Sequence, residues 1–125
     1  MKIKSLYICV NDMERAIDFY TNFFEKTPIK NDSIYSVFDV DGFRFGLFAY
    51  QKMKEPHTFG SNCLPSIEVD NIETLKRKIE KLEICFPLTK IDNNYVVEFI
   101  DSEGNHIELT TKAKGSDENE RRKKS

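Results

Sequence analysis

Tryptophan is absent from this 125-residue chain, and the side chains that most often carry chemistry are few: three cysteines and two histidines. Cys9, Cys63 and Cys85 are odd in number and widely spaced, which excludes a disulfide framework. No C-x-x-C pair occurs, so a paired-thiolate zinc site is not expected. A Ser–His–Asp arrangement, a glycine-rich phosphate loop and a dinucleotide fingerprint are also missing. The longest unbroken apolar runs are far too short for a signal peptide or a membrane span. Net charge is −2, and the single basic run, Arg121-Arg122-Lys123-Lys124, follows an acidic stretch. Neither a nucleic acid nor a membrane is therefore an expected partner. Free thiols without an export signal point to a cytoplasmic location.

What the chain does have is aromatic mass and an ordered pattern. Ten Phe and five Tyr are enough to build a core and to line an apolar pocket besides. Residues 6–10 form a short β-rich run. Asn11-Asp12 follows, and then Ala16, Ile17, Tyr20, Phe23 and Phe24 recur at helical spacing over residues 13–24. Asn11 with Glu14 three residues later reads as an Asx version of a capping box. Residues 34–40 and 43–50 are β-rich and are split by Asp41-Gly42, a strong hairpin signal.

The same grammar then repeats. Residues 66–69 make a short strand. Asp70 is the expected cap, with Glu73 in the matching place, and Ile72, Leu75, Ile79 and Leu82 give the helical face. Residues 85–89 suggest a further short strand, and residues 95–100 and 106–111 a hairpin around Ser102-Glu103-Gly104-Asn105. Val10 and Val69, like Glu14 and Glu73, are 59 apart, and Gly42 and Gly104 are 62 apart, so about three residues are inserted in the second half. The expected fold class is α+β: two tandem βαβββ modules forming a curved mixed sheet around a central trough. We expect one domain over residues 1–112, with halves at about 1–52 and 62–112, and a disordered charged tail at 113–125.

A βαβββ half packs one face of its sheet on its own helix and leaves the other to be closed. Alternation sorts the side chains. Leu6, Ile8 and Val10, then Phe43, Phe45 and Leu47, then Ile107 and Leu109 should face the helices. That leaves Ser5, Tyr7 and Cys9, then Arg44, Gly46, Phe48 and Tyr50, then His106, Glu108 and Thr110 for the trough.

Two stretches resemble the glyoxalase/bleomycin-resistance/dioxygenase superfamily, also called vicinal oxygen chelate proteins. Residues 10–20, VNDMERAIDFY, look like its strand-to-helix signature, which ends in Phe-Tyr. Residues 99–109, FIDSEGNHIEL, are similar to its closing hairpin, with Ser102 in place of a Pro and Glu103 in place of an Asp. With the repeat, the likeness covers about residues 3–112. Metal enzymes of the superfamily take one ligand, usually His or Glu, from each of four strands. Carried over singly, those positions fall on Ser5, Gly46, about Leu64, and Glu108, so one ligand of four survives. No cofactor is expected, and any divalent metal would rest on Glu108, with His57, Glu68 or Glu98 as the residues that could rescue a site.

The resemblance and the residues together imply a protein that binds or sequesters a small molecule in the trough without the usual metal. Its candidate lining is Tyr7, Arg44, Phe48, Tyr50, Glu98 and Glu108, and relatives imply a homodimer. The alternatives are a metal-dependent lyase, isomerase or dioxygenase with an atypical site on Glu108, and a non-catalytic interaction domain. The helix aromatics are expected to serve packing, the three cysteines to be buried and inert, and His106 to be a surface or strand-end residue.

Overall fold

The computed structural model describes residues 1, 3–53, 60 and 63–113. The described chain divides into two compact units, the first within Met1–Cys63 with Ser102–Asn105, the second Leu64–Asp101 and the described residues from His106 to Ala113.

In the first unit, β1 (Ser5–Cys9) leads into α1 (Met13–Phe24), then β2 (Tyr35–Val40) and β3 (Phe43–Phe48). The sheet order is β1-β3-β2, with β1 parallel and β2 antiparallel to β3. Asp41 and Gly42 both have positive φ, 50° and 88°, which is what a two-residue hairpin loop matched to strand twist requires. A fourth strand of the expected βαβββ order survives only as a bridge between Lys30 and Val37, next to Pro28 in the short link after the helix. Ala16 and Tyr20 are fully buried on α1, and the Tyr20 ring lies 5.1 Å from Phe45 and 6.4 Å from Phe38. The helix aromatics therefore pack the helix on its sheet. Phe45 and Leu47 face it as alternation requires, but Phe43, at the hairpin end, is 42 % exposed and lies outside the core.

The helix begins one residue later than the capping-box reading implies. Asp12, not Asn11, is the cap, and its side chain accepts from the Arg15 N–H at 3.1 Å. The backbone N–H groups of both Asn11 and Asp12 donate instead to the Glu103 carboxylate, each at 2.8 Å. In the second module the shift is the same: Asn71, not Asp70, caps α2 (Ile72–Ile79) and accepts from the Thr74 N–H at 2.8 Å. Each helix is preceded by two adjacent residues able to cap, so the pattern alone does not choose between them.

The second unit contains β4 (Ser66–Glu68), α2, β5 (Glu83–Ile91), β6 (Asn94–Ile100) and β7 (His106–Lys112). Its sheet order is β4-β7-β6-β5, with β4 parallel to β7 and the rest antiparallel. Leu75 of α2, Val97 and Phe99 of β6, and Ile107 and Leu109 of β7 are fully buried and form its core. β5 is nine residues long rather than the five expected, and it is bulged twice, between Ile84 and Phe86 and between Phe86 and Thr89. Ala113, the first residue assigned to the tail, is buried, and its N–H donates to the Asn93 carbonyl at 2.8 Å.

The strand registers carry the repeat. Tyr7 pairs with Gly46 across β1 and β3, and Ser66 pairs with Glu108 across β4 and β7. These pairs are related by the same offsets, 59 and 62, that relate the valines and glycines of the two halves.

Candidate functional site

The open face of the first sheet, turned away from α1, is aromatic. Tyr7 on β1 and Tyr35 on β2 share a hydrogen bond between their hydroxyls, and their rings lie 4.9 Å apart. Phe48 meets Tyr7 edge-on at 6.4 Å and Tyr35 at 6.3 Å. β3 stops at Phe48, so Tyr50 lies not on a strand but at the start of a 3-10 turn, Tyr50–Met53, and it still stacks on Phe48 at 4.5 Å. The Lys30 ammonium lies 4.1 Å above the Tyr35 ring. Arg44 shares this face, and its Nε is buried with no hydrogen-bond partner among the described residues. The Tyr35 hydroxyl is pushed below the ordinary tyrosine range, chiefly by the hydrogen bond with Tyr7 and further by the Arg44 guanidinium, against the opposing effect of desolvation.

Tyr35 was not among the residues expected here, although a signal for it exists. A two-residue Asp41-Gly42 loop pairs Val40 with Phe43, and counting back along the ladder puts Tyr35 opposite Phe48. Gly46 has a further consequence: a methyl group at that position would overlap the Tyr7 ring. The first module's counterpart of Glu108 thus has no side chain, and an aromatic ring fills its space.

The open face of the second sheet is acidic and polar. Glu98 on β6 and Glu108 on β7 are directly opposed, and the Ser66 hydroxyl donates to the Glu108 carboxylate. Glu68 is on β4 opposite Thr110. Cys85, Glu98 and His106 come together from three adjacent strands, with ligand atoms all within 4.8 Å of one another. Cys85 and Cys63 are exposed, not buried as expected, and Cys9 is partly buried. Local desolvation pushes the Cys85 thiol up, helped by the Glu98 and Glu83 charges, and burial pushes the Cys9 thiol up. Neither is an activated thiolate on its own. Leu64 is 42 % exposed, and His57 lies outside the described residues.

A polar groove of about 480 Å³ opens beside the start of α1, lined by Asn11, Asp12, Arg15, Asn31, Asp32 and Lys52 among others. It contains none of the expected site residues. The adjoining backbone N–H groups are already taken by Asp12 and Glu103, so the groove offers an anion little.

The topology and the two conserved offsets agree with what the sequence signatures suggested, and a family comparison decides it. Residues 2–109 match the model of the Glyoxalase/Bleomycin resistance protein/Dioxygenase superfamily. The chain belongs to this superfamily. No curated protein matches the chain. Among solved structures, a glyoxalase-related enzyme from Fulvimarina pelagi is 12 % identical, with a TM-score of 0.74 over 89 % of this chain and 88 % of that one. A glyoxalase/bleomycin resistance protein/dioxygenase family enzyme from Burkholderia phytofirmans is 15 % identical, with a TM-score of 0.74 over 89 % and 98 %. A protein from Agrobacterium tumefaciens, solved in solution by NMR, is 13 % identical, with a TM-score of 0.76 over 90 % and 98 %. At these identities the likeness extends to the fold and no further. The glyoxalase fold here thus comprises two sheets, each with one helix, and among the described residues no helix is long and apolar enough to cross a membrane.

Proposed function

We propose that this glyoxalase-superfamily protein binds a small, flat, largely apolar molecule against the aromatic face of its first sheet, without a metal at the superfamily's four ligand positions. The observation that carries the reading is the cluster of Tyr7, Tyr35, Phe48 and Tyr50 on the sheet face that α1 does not cover. Core packing does not require those rings, because Tyr20, Phe38, Phe45 and Leu47 already fill the space under the helix. Aromatic walls with a few placed polar groups are the usual make-up of a small-molecule site. Arg44 is the orienting group here, since its buried Nε has a donor to offer an acceptor on the ligand. Glu98 and Glu108 oppose each other on the second sheet's own open face, as carboxylates suited to hydroxyl or cationic groups.

The residues at the superfamily's ligand positions do not fit its metal. Ser5 and Leu64 replace two ligands, the Tyr7 ring fills the space of a third at Gly46, and Glu108 remains with Ser66 as its partner. A divalent ion needs several donors converging at once. We read the protein as a cytoplasmic homodimer that sequesters its ligand.

The test is a thermal-shift screen of planar aromatic compounds, with and without an anionic group, against the wild type and Phe48→Ala. A compound at about 100 times its Kd adds roughly 2.7 kcal/mol, a shift of several degrees in Tm for a domain this size. The shift should shrink at least tenfold in apparent affinity in Phe48→Ala. Hits that bind Phe48→Ala as tightly as the wild type would sink the reading.

A further inference from the structure

We propose that Cys85, Glu98 and His106 form a binding site for a thiophilic divalent cation of the zinc type, separate from the four positions the superfamily uses. The three residues lie on consecutive antiparallel strands of one sheet, β5, β6 and β7, so their backbones are fixed relative to one another. On β6 and β7, Val97, Phe99, Ile107 and Leu109 point into the core, so Glu98 and His106 emerge together on the open face. Cys85 joins them through a bulge. Ile84 pairs with Phe99 and Phe86 pairs with Glu98, so Cys85 is an extra residue in the ladder, and Cys85 and Phe86 together oppose Glu98. Without that extra residue the site would lose its sulfur.

The distances suit a small ion. Cys85 Sγ and His106 Nδ1 are 3.8 Å apart, and the carboxylate of Glu98 completes a set within 4.8 Å. Tetrahedral zinc, with a Zn–S bond of about 2.3 Å and a Zn–N bond of about 2.05 Å, holds its sulfur and nitrogen about 3.6 Å apart. The sulfur–nitrogen spacing is thus close to that of a bound ion, and the Glu98 carboxylate is the ligand that has to draw in. The donor chemistry narrows the choice of cation. A thiolate selects against magnesium and calcium, while an imidazole and a carboxylate beside it favour zinc over an all-sulfur ion such as copper(I). Cys85 is exposed, so an ion can enter from solvent, and three protein ligands leave a fourth position for water or a ligand atom. No C-x-x-C spacing announces the site, since its three ligands come from three strands and lie 13 and 8 residues apart.

Glu98 is also paired with Glu108 on the second sheet's open face, but Cys85 and His106 are not part of that pair, so variants of those two test the metal site alone. The experiment titrates Co²⁺ into the reduced protein and follows the near-ultraviolet thiolate-to-cobalt charge-transfer band and the visible bands of tetrahedral cobalt, with Zn²⁺ as competitor. One equivalent of Co²⁺ should produce both, Zn²⁺ should abolish both, and Cys63→Ser should leave both unchanged. Cys85→Ser should remove the charge-transfer band. His106→Ala, with folding checked by circular dichroism, should weaken binding at least about a hundredfold, because even outer-shell changes cost 10–100-fold. Absence of the band at equimolar Co²⁺, or a band that survives Cys85→Ser, would overturn the proposal.

Discussion

Gly46 has no room for a side chain because the Tyr7 ring lies across it, and the ring is held there by the Tyr35 hydroxyl and by the edge of Phe48. Gly46→Ala should destabilise the protein by about 1–3 kcal/mol, the usual cost of overpacking, seen as a fall of several degrees in Tm. In a Tyr7→Ala background the same substitution should cost much less. Equal costs in both backgrounds would mean that something other than the ring closes the site. The Tyr7–Tyr35 pair offers a second, optical check. Tyr35 should form its phenolate below the ordinary tyrosine range, and Tyr7→Phe should move that titration back up, since the leading cause of the shift is the Tyr7 hydroxyl. A titration that Tyr7→Phe leaves in place would transfer the effect to Arg44.

At the scale of elements, helices, hairpins and sheet faces were legible in the sequence because each rests on local chemistry. Periodicity reproduced α1 in full, and Asp41-Gly42 marked its hairpin turn. Alternation puts Tyr7, Arg44 and Phe48 on one face of the first sheet and Glu108 on the open face of the second, where the structure sets Glu98 opposite it. What the sequence did not reveal depends on contacts distant in the chain. Pro87 marks β5 as an edge or bulged strand but does not show that Cys85 is the extra residue beside His106, and two adjacent residues able to cap leave each helix start open by one position.

The turn between β6 and β7 is the clearest case. Read locally, Ser102-Glu103-Gly104-Asn105 is a hairpin tip bound for solvent. In the structure the Glu103 side chain is fully buried, accepting from the backbone of Asn11 and Asp12 and pairing with Arg15 at 2.8 Å. Burial alone would push this carboxyl up, but the hydrogen bonds from Arg15, Asp12, Asn11 and Ser102 outweigh it and hold it below the ordinary glutamate range. Its folded value is therefore below its unfolded one, so the stability it contributes is full above about pH 4.3 and is lost as the pH falls through the lowered folded value. Glu103→Gln should cost about 1.5–3 kcal/mol at pH 7, as expected for charged hydrogen bonds, and the gap to the wild type should narrow in acid. A gap that stays constant down to pH 3 would show that the charge is not what matters.

For the whole molecule, the internal repeat is the property from which most else follows. Two modules with one grammar differ in content: the first has an aromatic face over a glycine, the second a glutamate, a thiol and an imidazole. Composition could not foretell that division, because Tyr7 and Ser66 occupy equivalent places and have only a hydroxyl in common. The homodimer we propose should appear in light scattering as twice the mass of the chain at micromolar concentration. A monomer under those conditions, with or without ligand, would remove dimerisation from the reading.

The Ser102–Asn105 turn also sets an order in time. The first unit takes its last four residues from near the far end of the described chain, and two of them do specific work: Glu103 at the start of α1, and Asn105, whose side-chain amide donates to the Cys9 carbonyl at 2.7 Å. A ribosome that has released only residues 1–63 has released Asn11 and Asp12, whose N–H groups just ahead of α1 still await their acceptor. The amino-terminal half of this protein is therefore begun first but cannot be completed until most of the second unit has been made, and until residue 105 emerges its earliest strand and the entry to its helix depend on water for bonds that the finished chain supplies itself.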